Sequence, residues 1–129
     1  MEKIPGTIIH YGRFDPEQRT GGVESFAKSL KLAFEDVRFL SACSDGPGSA
    51  AMQRVVASGL PVVCDNHMVL DWPDGYPVIG FQHGVAAEKK FITWSRTDWL
   101  LAHMQARAAR RKATIWVACA GWISDEFAR

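Results

Sequence analysis

His83 stands in FQHG, just past an apolar run that reads as a buried strand. A histidine at a strand end can donate to a ligand hydroxyl or move a proton near neutral pH. The alternative is a ring satisfied by backbone groups. Gly21 and Gly22 form an adjacent pair directly before a helical run that carries Glu24 early. Two glycines weaken local structure, because each loses much backbone freedom on folding. They make sense where something must approach the backbone closely. Between a strand and a helix, free N–H groups and the helix dipole make an anion site that could hold a phosphate or a sugar oxygen. A plain turn is the other reading.

A third stretch, GPGSAA, fits G-x-G-x-x-A through Gly46, Gly48 and Ala51, and Asp65 ends the strand that follows. That is near where a dinucleotide fold places the acid that holds its ribose. Ser44 and Asp45 intervene between strand and glycines, and the motif follows the second strand rather than the first, so the pattern is loose. His10, inside the first strand, and His103, on a helix face, read as packing residues. His67 falls near the rim without an evident partner, and Asp71 and Asp74 in DWPDG read as a turn. Trp99, Trp116 and Trp122 read as core or rim aromatics, and Trp94 as one that could also stack on a sugar ring. No phosphate loop, zinc-spaced histidine pair or G-x-S-x-G elbow is present. The metal expectation is therefore none.

These residues need a scaffold, and the totals bound it. The chain has 129 residues, 47% hydrophobic and 22% charged, with a formal net charge of +1. That suits one soluble domain, residues 1–129. The balance points to no nucleic acid. Arg107, Arg110, Arg111 and Lys112 cluster at a helix end, where cations complement the dipole. They read first as a solvated helix end and second as a site for an anionic ligand or a peripheral membrane surface. Cys43, Cys64 and Cys119 lack C-x-x-C spacing and read as buried, reduced thiols of a cytoplasmic protein. Neither a secretory signal nor a bilayer-spanning run is evident.

Pattern and punctuation then give alternating elements. Strands are expected at 6–12, 37–43, 61–64, 76–82 and 113–119. A helix is expected through Val23, Phe26, Ala27, Leu30, Ala33 and Phe34, and another at 49–58 ended by Gly59. A third, at 95–111, has Trp99, Leu100, His103, Met104, Arg107 and Ala108 at helical spacing. The alternation predicts an α/β, doubly wound, mainly parallel Rossmann-like sheet with helices on both faces. Ligands of such sheets bind beyond the carboxyl ends of the strands. A last helix opening at Ser124 would be too short to stand alone, so a larger protein is expected to continue past Arg129.

The first strand, its loop and GGVESFAKSL resemble the opening of family 4 glycosyltransferases, which have the two-lobed GT-B architecture. VIGFQHG looks like the segment carrying that family's acceptor-side histidine, and IWVACAGWISDEF is similar to its strand, turn and serine-opened helix. The resemblance covers nearly the whole chain but only the first half of such an enzyme. It implies retaining, metal-independent transfer of a sugar from a nucleotide-sugar donor to a glycan or small-molecule acceptor, with no further cofactor. By matching position, Gly21 and Gly22 would form the loop near the donor phosphates, and Glu24 would cap the helix or lie near the cleft. His83 would contact the transferred sugar or the acceptor, and Arg13 and Asp15 the acceptor. The family's donor lobe, with its basic residues and paired glutamates, is not among these residues. A cleft must close to position donor against acceptor. The resemblance therefore implies a chain inactive alone, completed by a C-terminal lobe or a partner chain, with a face that could drive homodimerisation. The alternative is a stand-alone Rossmann-type nucleotide-binding or interaction module that uses residues 46–51 and Asp65.

Overall fold

The computed structural model describes residues 2–13, 22–82 and 96–118. Its elements run β1 (Ile4–Gly12), α1 (Gly22–Ala33), β2 (Phe34–Ser41), α2 (Ala50–Ser58), β3 (Val62–Asp65), a 3-10 helix (Asn66–Asp71), β4 (Val78–Gln82), α3 (Arg96–Ala109) and β5 (Thr114–Ala118). The five strands form one sheet in the order β2-β1-β3-β4-β5, and every neighbouring pair is parallel. The fold is α/β and Rossmann-like, as the alternation of elements predicts.

β1 is an interior strand, paired with β2 on one edge and β3 on the other. Its last five residues, Ile8 to Gly12, are all buried, as in a strand covered on both faces. Ile9 and Tyr11 point to one face and pack with Met52 and Val55 of α2, Cys64, Trp72 and Ala108 of α3. Ile8 and His10 point to the other face, under α1. There the His10 ring meets Phe26 of α1 and Phe39 of β2 edge-on, at 6.4 and 5.7 Å between centroids. Phe26 stacks on Phe81 of β4 at 4.0 Å. Helices thus cover both faces.

α2 follows its local signals. Ser49 caps it by accepting a hydrogen bond from Met52 N, and Gly59 ends it in the left-handed region at φ 66°. β2 departs from expectation by starting at Phe34, which the helical spacing had absorbed. Pairing with β1 overrides the spacing, since Phe34 lies opposite Ile4 and Thr7 Oγ1 donates to Asp36 Oδ2 at 2.8 Å. The 3-10 helix was not foreseen; it buries Val69 and leads into the buried Trp72.

Three expectations need correction. α3 packs against the 3-10 helix, which turns its inner face toward Leu101, Ala102, Met104, Gln105 and Ala108. Trp99, Leu100, Arg107 and His103 are exposed instead, so His103 is no packing residue. Cys43 lies in the turn after β2 and is exposed, whereas Cys64 is buried. Arg111 is no solvated helix end. It is only 9% exposed, and its guanidinium donates to Ala113 O at 2.6 Å, Thr114 Oγ1 at 3.0 Å, Pro73 O at 2.5 Å and Tyr76 O at 2.6 Å. Arg107, Arg110 and Lys112 remain exposed.

The outer strand is keyed to its neighbour. Gly80 of β4 is the register partner of Trp116 of β5, and a Cβ at Gly80 would stand 2.6 Å from the indole ring. Glycine is what lets the ring lie there. Among the described residues no helix is long and apolar enough to cross a membrane.

Candidate functional site

The connection from β1 runs outward to β2 on one side, and β3 then lies on the other side of β1. The strand order therefore reverses between β1 and β3, and a crevice outside their carboxyl ends is where sheets of this kind hold ligands. Gly12 and Arg13 leave β1 there, and Asp65, Asn66 and His67 leave β3. Ser41, at the end of β2, donates from Oγ to Arg13 O at 2.9 Å, and Ala42 N donates to Gly12 O at 2.8 Å. These bonds fix the path of the chain as it leaves β1. The Arg13 side chain is exposed.

Beneath the crevice His10 Nε2 stands 3.0 Å from Asp65 Oδ1, with the two residues 2% and 3% exposed. The pair ties β1 to β3 just below their ends. The other Asp65 oxygen lies against Gly12, where a Cβ would come within 2.6 Å of it. A side chain at position 12 would displace the carboxylate. Sequence reasoning placed His10 in packing alone and missed this pair. The only available signal was a polar residue amid the apolar run of β1.

Asn66 takes φ 50°, the one non-glycine residue with positive φ among those described. His67 follows, half-buried, and its Nδ1 is enclosed without a hydrogen-bonding partner among the described residues. Burial lowers its pKa below the ordinary histidine value, the Asp71 charge works in the opposite direction, and the Arg13 charge lowers it further. Asp71 in turn accepts from Tyr11 Oη at 2.6 Å. Burial, then this bond and the Asp71 charge, push the Tyr11 phenol well above its ordinary range. Burial likewise pushes the Cys64 thiol up, with Asp65 adding to the effect.

Of the residues the sequence singled out, Arg13 and His67 stand at the two strand exits, and Asp65 lies buried beneath them beside His10. Gly22 opens α1 as its first residue. Glu24 lies in the first turn of α1, and its side chain is outside the description. Gly21, Asp15 and His83 fall outside the described residues altogether. Gln82, the residue before His83, is buried at the carboxyl end of β4.

The GPGSAA stretch forms the turn that enters α2. Ser49 N donates to Gly46 O at 3.0 Å, Gly48 sits at φ 76°, and a Cβ on Gly46 would stand 2.9 Å from Ala42 O. Its glycines thus answer to the turn itself. Asp65 is engaged with His10, and β2 and β3 are separated by β1. A separate groove of about 620 Å³ runs along α2, lined by Met52, Gln53, Val56, Asp71, Trp72 and Asp74 among others. Among the described residues no three His, Cys, Asp or Glu side chains gather as a metal would need. Compared with protein-family models, with curated proteins and with solved structures, the chain matches none.

Proposed function

We propose that this chain is the acceptor-side lobe of a retaining, metal-independent glycosyltransferase, with its ligand in the crevice beyond β1 and β3. The observation that supports the reading is the reversal of strand order between those strands. It lies where the chain departs toward Gly21 and Gly22 and where Arg13 is exposed. On this reading Arg13 and Asp15 contact the acceptor. The Gly21–Gly22 loop approaches the donor diphosphate, Glu24 stands at the helix entry, and His83 meets the transferred sugar or the acceptor. The chain is then an enzyme only together with a lobe that supplies donor-binding residues, from the same polypeptide or from a partner.

The rival reading, a nucleotide module built on residues 46–51 and Asp65, draws less support. Asp65 is buried against His10, and the glycines are accounted for by the turn into α2. Binding of a nucleotide-sugar separates the two readings. Under the first, changing Gly22 to valine weakens binding or transfer by the completed enzyme, whereas changing Gly48 does so only through loss of folding. An effect of Gly48 on binding in a fully folded protein, with none of Gly22, would overturn the glycosyltransferase reading.

A further inference from the structure

The outer side of α3 carries a pattern that neither the core nor the crevice uses. Arg96, Trp99, Leu100, His103, Arg107 and Arg110 are all exposed. They recur at three- and four-residue spacing, which sets them in one stripe along the helix and the turn after it. At the helical rise the stripe runs about 21 Å. Ala108, on the inner side, belongs to the core cluster, and α3 rests on the 3-10 helix. The stripe therefore stands on a fixed support.

Its charges have one sign. Arg96, Arg107 and Arg110 lie on it, Lys112 is exposed just beyond, and none of the four forms an ion pair with another described residue. Its apolar members are large, with Trp99 42% and Leu100 58% exposed. Single exposed apolar side chains are ordinary on a protein surface. These two are adjacent in the chain and lie between Arg96 and Arg107 on the same stripe. Cations outside a bilayer are drawn to anionic headgroups, and tryptophan rings settle at the boundary between membrane and water. We propose that the outer stripe of α3 docks the protein on an anionic phospholipid bilayer, with Trp99 and Leu100 entering the headgroup region and Arg96, Arg107, Arg110 and Lys112 meeting the lipid phosphates. A nucleic acid would take up the cations but would leave the apolar pair in water, and that difference favours the bilayer. The arginine stems are long enough to lie along the apolar pair while their guanidinium groups stay with the phosphates. This surface is separate from the β1–β3 crevice, so the inference stands or falls without any ligand there.

The test is flotation of the 129-residue protein, at physiological salt, with vesicles of phosphatidylcholine alone or with one-third phosphatidylglycerol. The protein is expected to rise with the anionic vesicles and to stay behind with the neutral ones. Arg107→Gln combined with Arg110→Gln should weaken partition roughly thirtyfold, at about fivefold for each cation. Trp99→Ala combined with Leu100→Ala should weaken it about tenfold with the charge unchanged. Arg54→Gln, which removes an exposed cation from α2, should leave it unaltered. All these positions are exposed, and unfolding midpoints equal to the parent's would confirm that the fold is kept. A parent that fails to float with anionic vesicles overturns the proposal. So does a loss with Arg54→Gln as large as that from a single α3 arginine, because the attraction would then belong to no particular surface. If heparin or duplex DNA binds through the same arginines while loss of Trp99 and Leu100 leaves flotation unchanged, the stripe serves a polyanion and the bilayer is wrong.

Discussion

His10 and Asp65, 55 positions apart in the chain, meet at 3.0 Å beneath the carboxyl ends of two adjacent strands. The contact is buried, so neither group can turn to water if its partner is lost. His10→Phe keeps a ring among Phe26 and Phe39 yet removes the His10 bond from the buried Asp65 carboxylate. Urea denaturation should show a loss of about 3 kcal/mol, the usual consequence of stripping one partner from a buried polar pair. A variant as stable as the parent would show that the pair contributes nothing to folding.

Gly12→Ala tests the close approach of the same carboxylate. The added methyl would stand 2.6 Å from Asp65 Oδ2, and overpacking of this kind costs about 1–3 kcal/mol. In an Asp65→Ala background the opposing oxygen is gone, so the same substitution should cost far less. A double-mutant cycle measures the difference; equal costs in the two backgrounds would assign the penalty to the backbone instead.

His67 gives an acid-side prediction. Its folded pKa lies below 6.5, so the unfolded chain binds the proton more readily. The resulting stability is fully present above 6.5 and is lost as pH falls below that value toward the folded pKa. His67→Gln should remove this loss. Denaturation midpoints of the two proteins, compared from pH 7.5 to 5, should diverge only in the acid half. Parallel curves would contradict the assigned direction.

Tyr11 gives the alkaline counterpart. An unfolded tyrosine ionises near 10.0, whereas burial and Asp71 hold the folded phenol protonated beyond that. Stability from this group is therefore intact below pH 10 and falls as pH rises above it. Tyr11→Phe should cost about 1.5–3 kcal/mol at pH 7, because the bond it removes ends on a carboxylate. The gap between variant and parent should narrow above pH 10. A constant gap would mean that the hydroxyl acts through shape alone.

Arg111→Lys preserves charge but not the planar fork that reaches Pro73, Tyr76, Ala113 and Thr114 together. An ammonium group cannot span those acceptors. Thermal unfolding should show a loss of about 2–3 kcal/mol, with the β4–β5 amides losing hydrogen-exchange protection before those of β1. Uniform loss of protection would place the clamp in the global core rather than in this corner.

What the sequence disclosed followed local rules. The apolar run of β1, the Gly59 helix end and the alternation of elements are each decided within a few neighbouring residues, and they led to the correct α/β class. Phe34 went astray because its spacing suits a helix while pairing with Ile4 makes it strand. The inner face of α3 went astray because the helix rests on a 3-10 segment that no periodicity announces. At the candidate site Arg13 was named only through the resemblance, by matching position, and not from its own residue pattern. The His10–Asp65 pair was not legible, since only the folded sheet brings those positions together.

The interior place of β1 also governs the order in which the sheet is assembled. β2 takes one edge of β1 and β3 the other, so a three-strand sheet is complete by Asp65. β4 then adds to β3, and β5 to β4. A chain emerging N-terminus first from the ribosome never has to reopen a finished strand pair to admit a later strand. Each new strand meets an edge that is already waiting, which limits the time that a growing chain exposes unpaired backbone.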